Sequence, residues 1–349
     1  QIKFQLSDVG LNTPVDLVGQ MVSLYDEAAP TVLLGTAQFG TGGPVAQDSA
    51  TSTLPAGTFI VPKNGSKTLL VKGDIAAISA VGPLFMSGDL LKVDYDGTVN
   101  GSAVGGNYGI GQSSGTEISP SSQDTSVLGV RIMKAYPTLT KCTGGASGCD
   151  GMPTNVLTSK ADMSLYRFKV TAVAGDVRIA KFTFNVSSST GPLASAITSK
   201  HSLYAFTDGS FTQADTTFSA TGLLNEGQCY NTDQNTDSEI FPTTGCLSGK
   251  TSYKVPVGQT RYFDFRADVS NVETSTGTES ISVTLRGDAA FAGMASAAGV
   301  DLDINDDFIW SPASTSTTPL LTDLDFTNAY QVPGLPANDM ASEPFTSQN

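Results

Sequence analysis

The chain has 349 residues, a net charge of −14 and only 15% charged residues. This length allows two domains, since single domains usually hold about 100–200 residues. The acidic balance argues against nucleic-acid binding, and no apolar stretch reaches the roughly 18 residues of a membrane-spanning helix. The composition therefore predicts an extracellular protein whose acidity serves solubility, with divalent-cation bridging as the alternative.

Short alternating strands separated by turns recur along the chain, beginning with Ile2, Phe4 and Leu6 on one face of 1–7. No stretch shows a capped helical period. The pattern predicts an all-β fold of two tandem immunoglobulin-like antiparallel β-sandwich domains with a C-terminal extension. The expected division is a first sandwich at 1–150, a second at 151–312, and a tail at 313–349 that is available for contacts between subunits.

A hairpin at 59–76 recurs at 253–270 without a gap. Each copy has an apolar run, a turn at proline, and an alternating return strand, which is the pattern of a hairpin with one buried face. Three more blocks match in the same order: 1–7 with 165–171, 23–25 with 202–204, and 90–97 with 280–287. We therefore expect an internal duplication that stops near residue 300, with the hairpin as core scaffold in both copies.

Four cysteines form two close pairs, Cys142 with Cys149 and Cys229 with Cys246. Neither spacing suits zinc, which prefers two to four residues between paired ligands. Because polar, glycine-rich residues flank them, we expect two local disulfides closing surface loops, which implies an oxidising compartment. Four reduced, buried thiols are the alternative.

A run of oxygen-bearing side chains precedes the tail. Asp301, Asp303, Asn305 and Asp307 occupy alternate positions, as ligands do in calcium loops. The run departs from the EF-hand pattern, because its sixth position is Asp306 rather than glycine. Calcium is the one cofactor suggested, and an edge strand with a charged outer face is the competing interpretation.

Aromatic residues mark the tail. Phe308 and Trp310, the only tryptophan, share one strand face, and Phe326 and Tyr330 follow. Because aromatic side chains dominate the centres of protein interfaces, these four are candidate contacts with a neighbouring subunit. The alternative is that they pack the tail onto the second domain.

Two tail motifs carry a family resemblance. NDDFIWSP at 305–312 and DFTNAYQVPGLP at 325–336, with the strand region 165–184, resemble secreted surface β-sandwich modules of candidate-phyla bacteria (Patescibacteria). The chain departs from that pattern at Phe326, where tryptophan is expected, and at Ala329, where glycine is commoner. The resemblance covers most of the chain. It implies a structural or adhesive protein at the cell surface, and no chemistry.

Catalytic patterns are weak. Residues 111–115 fit G-x-S-x-G around Ser113, but that motif needs a strand before it and a helix after it, and this stretch is rich in glycine and serine. The only histidine, His201, would have to act as the base. There is no phosphate-binding loop and no dinucleotide fingerprint. We therefore expect that the protein is not an enzyme.

The leading hypothesis is a structural subunit of an extracellular homopolymer, either a surface filament or a surface layer. Its partners would be other copies of the chain, joined through β-edge or tail contacts. The alternative is a surface adhesin or carbohydrate-binding module that recognises surface glycans or a host cell surface. That function would need exposed aromatic residues, for which Tyr108 and Tyr230 are the candidates.

Overall fold

The chain forms two compact units, Gln1–Met133 and Lys134–Asn349. The described residues contain β-strands and three short 3-10 turns, Pro14–Asp16, Val18–Gln20 and Glu226–Gln228, and no α-helix. Every strand pair among these residues is antiparallel, apart from two isolated parallel bridges, so the all-β sandwich prediction is confirmed. The computed structural model describes residues 1–6, 12–40, 49–78, 87–97, 106–120, 123–125, 127–145, 148–150, 154–189, 196–228, 230–232, 237–245, 248–272, 278–291, 293, 306–313, 326–335, 340–341 and 344–347.

The strands of the first unit are β1 (Ile2–Leu6), β2 (Met21–Asp26), β3 (Ala29–Gln38), β4 (Ser49–Ser52), β5 (Leu69–Lys72), β6 (Leu90–Leu91), β7 (Val93–Tyr95), β8 (Gly109–Ile110), β9 (Glu117–Ile118) and β10 (Val130–Arg131). They pair in the orders β4-β1-β7, β3-β2-β5, β10-β6 and β8-β9. Alternate residues of β1 and β2 face inward, as strand geometry requires. The small core consists of Phe4, Leu6, Leu17, Val22, Leu24, Ala37, Phe39 and Ala50.

The strands of the second unit are β11 (Tyr136–Lys141), β12 (Lys160–Val173), β13 (Val177–Ser188), β14 (Ile197–Phe206), β15 (Asn231–Thr232), β16 (Ser238–Ile240), β17 (Thr243–Gly245), β18 (Ser248–Lys250), β19 (Tyr253–Val255), β20 (Thr260–Ser270), β21 (Ser280–Leu285), β22 (Phe308–Ser311), β23 (Met340–Ala341) and β24 (Phe345–Thr346). One sheet has the order β11-β12-β20-β14. The other has the order β15-β16-β13-β21-β23, with β19 and β22 also on β13. Their facing sides share an aromatic core that includes Phe168, Phe182, Phe184, Phe263 and Phe265.

The division between the units falls after Met133, earlier than the expected boundary at residue 150. The reason is strand β11, which pairs along its whole length with β12. The described parts of the tail also join the second unit, because β23 and β24 both pair with β21. Residues 134–150 and the described tail therefore extend the second sandwich.

Strand registers support the duplication in the 59–76 and 253–270 hairpins. In the first unit, β2 and β5 pair Ser23 with Lys72 and Leu24 with Val71. In the second unit, β14 and β20 pair Ser202 with Arg266 and Leu203 with Phe265. Two blocks that were aligned separately in sequence thus meet in the same register in both units.

The expected match of 1–7 with 165–171 is wrong. Strand β1 lies between β4 and β7, with Phe4 opposite both Ala50 and Tyr95. The strand in that position in the second unit is β13, where Phe184 lies opposite Ser238 and Leu285. The counterpart of 1–6 is therefore 181–186. The sequence misled because neighbouring strands β12 and β13 both alternate around phenylalanine, and a two-residue period does not tell one from the other.

The tail also has a counterpart, contrary to the expectation that the duplication stops near residue 300. Leu285 pairs with Met340 and Ile281 with Phe345 in the second unit. The equivalent pairs in the first unit are Tyr95 with Thr125 and Leu91 with Val130. Likewise, the antiparallel pair Trp310–Thr327 corresponds to Gly109–Ile118 in the β8-β9 hairpin. Low sequence similarity concealed these matches, which only the shared register shows.

Candidate functional site

One edge of the β5 strand, called the open edge below, has no strand partner among the described residues of the first unit. The backbone of Thr68 and Asp74 accepts hydrogen bonds from Glu27 and Val18, and Ala76 N donates to Asp16 O. All of these partners lie on the β2 side. Because backbone groups alternate between the two edges of an antiparallel strand, the N–H and C=O groups of Leu69, Val71 and Gly73 point to the opposite edge. No described strand pairs with that edge.

The open edge adjoins exposed apolar side chains, whereas the equivalent side chains of the second unit are buried. Each exposed residue lies on the hairpin at 59–76, and its duplicate lies on the hairpin at 253–270. Exposure in the first unit is 54% for Val61, 39% for Val71 and 44% for Ile75, against 0% for Val255, 0% for Phe265 and 4% for Val269. The two hairpins share a backbone pattern and differ in what covers them.

Strand β12 covers this position in the second unit. It pairs with β20 so that Phe168 lies opposite Phe263 and Tyr166 opposite Phe265. The rings of Phe168 and Phe263 stack with their centroids 5.0 Å apart. The adjoining strand β19 is held by the first residues of β13, with Val255 opposite Val177. The described residues of the first unit include no counterpart of β12.

Lysines surround the open edge on this acidic chain. Lys67 forms an ion pair with Asp26. Lys72 donates to the carbonyl of Pro30 at 2.8 Å, and its ammonium lies 4.6 Å from the centre of the Tyr25 ring. Lys63 is exposed in the turn between the two arms of the hairpin. Asp26 offsets the charge of Lys67, and Glu27 and Asp74 are exposed at the ends of the same strand pair, so the edge carries charges of both signs.

The predicted interface aromatics lie mainly inside the second unit. Phe308 and Phe326 are fully buried and Trp310 is 2% exposed. The Trp310 indole Nε1 donates to the carbonyl of Asn328 at 2.8 Å, which fixes the ring in the interior. Tyr330 is half-buried. The structure thus places three of the four in the core, the position that the sequence offered as the alternative to an interface.

A buried carboxylate ties these tail residues to the sandwich. Asp288 accepts hydrogen bonds from the backbone N–H groups of Asp307, Phe308 and Ala329, at 2.7, 3.3 and 2.8 Å. Burial raises the pKa of Asp288 above its usual range, and these three hydrogen bonds oppose that rise.

A further close contact of the tail involves Gly334. Its φ of +83° and its position against the backbone of Leu139 leave no room for a side chain.

The calcium prediction falls largely outside the described residues, since Asp301, Asp303 and Asn305 are not among them. Asp307 is described, and burial together with the nearby Asp288 carboxylate raises its pKa to about 7. Within the described part of the chain, no group of three or more His, Cys, Asp or Glu side chains could hold a metal ion. Calcium binding at 301–307 stays a prediction.

One of the two predicted disulfides is present. Cys142 and Cys149 are bonded, with their Cα atoms 5.6 Å apart. Both are buried against Phe206 and Phe211, so this disulfide joins a small apolar cluster as well as closing a loop. Cys229 and Cys246 lie outside the described residues.

Residues considered for catalysis or glycan binding are placed as follows. Ser113 lies in the exposed turn of the β8-β9 hairpin. His201 is buried in the second unit, within hydrogen-bonding distance of Ser238 and Thr198, and burial lowers its pKa to about 4. Tyr230 stacks on the His201 ring with centroids 4.3 Å apart, and both Tyr230 and Tyr108 are half-buried.

Comparisons with known proteins give little further guidance. No protein family model and no curated protein matches the chain. It is similar to the full-length major pilin RrgB from Streptococcus pneumoniae, at 9% identity over 98% of this chain and 53% of that one, with a TM-score of 0.20. It is also similar to the T6 backbone pilin of serotype M6 Streptococcus pyogenes, at 10% identity over 99% and 63% of the two chains, with a TM-score of 0.18. The chain thus spans 53% of the length of the RrgB pilin, and TM-scores this low decide neither fold nor function.

The described residues include no helix that is long and apolar enough to cross a membrane.

The open β5 edge was missed in the sequence because the hairpin was interpreted as core scaffold in both copies. One signal was available. The second copy has Phe263 and Phe265 where the first has the smaller Leu69 and Val71.

Proposed function

We propose that this chain is a structural subunit of an extracellular homopolymer, either a surface filament or a surface layer, whose subunits join through β-strand edges. The observation that carries the proposal is the open β5 edge with its exposed apolar row. An uncovered strand pairs readily with other chains, and at β5 only the short length of the strand and its flanking lysines oppose such pairing. The equivalent edge of the second unit is covered by β12.

Extracellular location is supported by the disulfide between Cys142 and Cys149, since disulfides persist in oxidising compartments. The family resemblance of the tail motifs points to the cell surface, so such a subunit would be secreted and displayed there. Calcium at 301–307 would add bridging between acidic copies, since the chain has a net charge of −14.

Sedimentation velocity over a range of protein concentrations tests self-association, and negative-stain electron microscopy shows the form of the assembly. Samples are compared in calcium and in chelator. We expect threads or sheets that grow with protein concentration. A chain that stays monomeric at every concentration in both conditions would refute the proposed function.

A further inference from the structure

We propose that Asn64 is a site of spontaneous chemical modification, at which the side-chain amide is lost through a cyclic imide formed with the backbone nitrogen of Gly65. The site lies in the turn between the two arms of the hairpin at 59–76. The inference is independent of the proposed function, because it concerns the chemistry of one turn and not the contacts between subunits.

The backbone around Asn64 is exposed and weakly held. Residues 61–67 are all exposed and belong to no strand. Among the described residues, the only backbone–backbone hydrogen bond of this stretch runs from Gly65 N to Pro62 O, at 3.0 Å. Exposed turns with so few bonds open locally at little cost in free energy. The Gly65 nitrogen therefore becomes available for reaction while the sandwich stays folded.

The Asn64 side chain is also free to move, because it makes no hydrogen bond with any residue that the structure describes. Other asparagine side chains donate to fixed partners: Asn185 to Asp237, Asn225 to the carbonyl of His201, and Asn328 to Asp306. Each of those bonds must break before the amide can turn toward the backbone. The structure thus distinguishes Asn64 from asparagines that the fold holds in place.

Gly65 favours the ring closure because it has no side chain, whereas a β-branched residue after the asparagine obstructs it. Asn271 provides the comparison, since it is also exposed and its φ of +60° is close to the +57° of Asn64. The residue after Asn271 is Val272, whose backbone N–H donates to Ser159 Oγ at 3.1 Å. The two asparagines therefore share exposure and φ, and they differ in the residue that supplies the attacking nitrogen.

The reaction needs no reagent besides water. The Gly65 nitrogen attacks Cγ of Asn64, so that a C–N bond forms and the bond from Cγ to Nδ2 breaks. The proton lost from Gly65 N leaves with the side-chain nitrogen as ammonia. Water then opens the imide at either carbonyl, which gives aspartate or isoaspartate. Both products add a negative charge next to Lys63, and isoaspartate also lengthens the backbone of the turn by a CH2 group.

Peptide mapping by mass spectrometry tests the site in the folded, full-length chain. The protein is incubated at neutral and at mildly alkaline pH, and conversion to the acid is followed separately at Asn64 and Asn271. We expect Asn64 to convert roughly tenfold or more faster than Asn271. Conversion at Asn64 should be faster at the higher pH, because the attacking nitrogen must lose its proton. Equal rates at the two asparagines, or no conversion at Asn64, would overturn the inference.

Two variants separate the effect of the turn from that of the sequence. Gly65→Ala places a Cβ 2.7 Å from Pro62 Cγ and obstructs ring closure, so conversion at Asn64 should slow roughly tenfold. An unchanged rate would contradict attack by the Gly65 nitrogen.

Val272→Gly gives Asn271 the same following residue as Asn64 but leaves the backbone N–H of position 272 opposite Ser159 Oγ. We expect conversion at Asn271 in this variant to stay roughly threefold or more below that at Asn64. Equal rates would mean that the dipeptide sequence alone sets the reactivity, which overturns the role assigned to the open turn. Circular dichroism checks that both variants fold.

Discussion

Paired alanine substitutions at duplicated positions give the sharpest stability test, because Val71 and Phe265 occupy the same register in the two units. Phe265 is 0% exposed, and its ring lies 4.5 Å from that of Phe184, centroid to centroid. Val71 is 39% exposed. The same strand position is thus core in one unit and surface in the other.

The magnitudes follow from burial. Truncating a buried phenylalanine to alanine costs about 3–5 kcal/mol, because a cavity remains. Val71→Ala removes two methyl-sized groups worth about 0.8 kcal/mol each when fully buried. At 39% exposure of Val71, that loss falls to about 1 kcal/mol. We therefore expect Phe265→Ala to cost roughly 2–4 kcal/mol more than Val71→Ala.

Urea unfolding of the dilute chain provides the assay. Trp310, the only tryptophan, lies in the second unit, so its fluorescence reports the Phe265 variant. Exchange of the Val22 and Leu24 amides, which lie in the core of the first unit, reports the Val71 variant. A loss of 3 kcal/mol or more from Val71→Ala in dilute protein would refute the reasoning, since it would mean that this edge is covered without a partner.

Three further predictions follow from the second unit. Lys181 and Glu239, both about 1% exposed, form an ion pair of 2.5 Å. Lys181→Met should lower the free energy of unfolding in urea by about 3–5 kcal/mol, because it leaves the buried Glu239 carboxylate without its partner. Adding Glu239→Gln should recover part of that loss. His201 has a folded-state pKa of about 4, below its ordinary 6.5, so its contribution is complete above pH 6.5 and decreases by about 3 kcal/mol as the pH falls to 4. The free energy of unfolding of wild type minus that of His201→Gln should show this slope; the total pH profile also contains the raised pKa of Asp307, which acts with the opposite sign. Replacing both Cys142 and Cys149 by alanine should cost about 2.5 kcal/mol for this short loop, measured against wild type under non-reducing conditions; an unchanged midpoint would contradict the loop-entropy argument.

Much of the fold could be predicted from local pattern. Alternation around Phe263 and Phe265 identified β20 and its inward face, and polar, glycine-rich flanks identified the Cys142–Cys149 disulfide. Both signals are local, because strand alternation and a short covalent loop depend on nearby residues. The match of Ser23 with Ser202 succeeded for the same reason.

Partners distant in sequence could not be predicted this way. The counterpart of β1 proved to be part of β13, and the tail strand at Phe345 proved to duplicate Val130. A two-residue period indicates which face of a strand is buried, but it does not say which strand lies beside it. That choice is made when the two sheets pack.

The sequence by itself determined an acidic, all-β chain of two related sandwiches with alternating strands and a local disulfide. The tertiary structure decided which copy of the duplicated hairpin is covered. Val71 and Phe265 have nearly the same local pattern, and Phe265 is buried because β12 lies beside it and Phe184 packs against it from the facing sheet. Burial depends on what a strand packs against, and for this reason the candidate assembly edge became evident only in the folded chain.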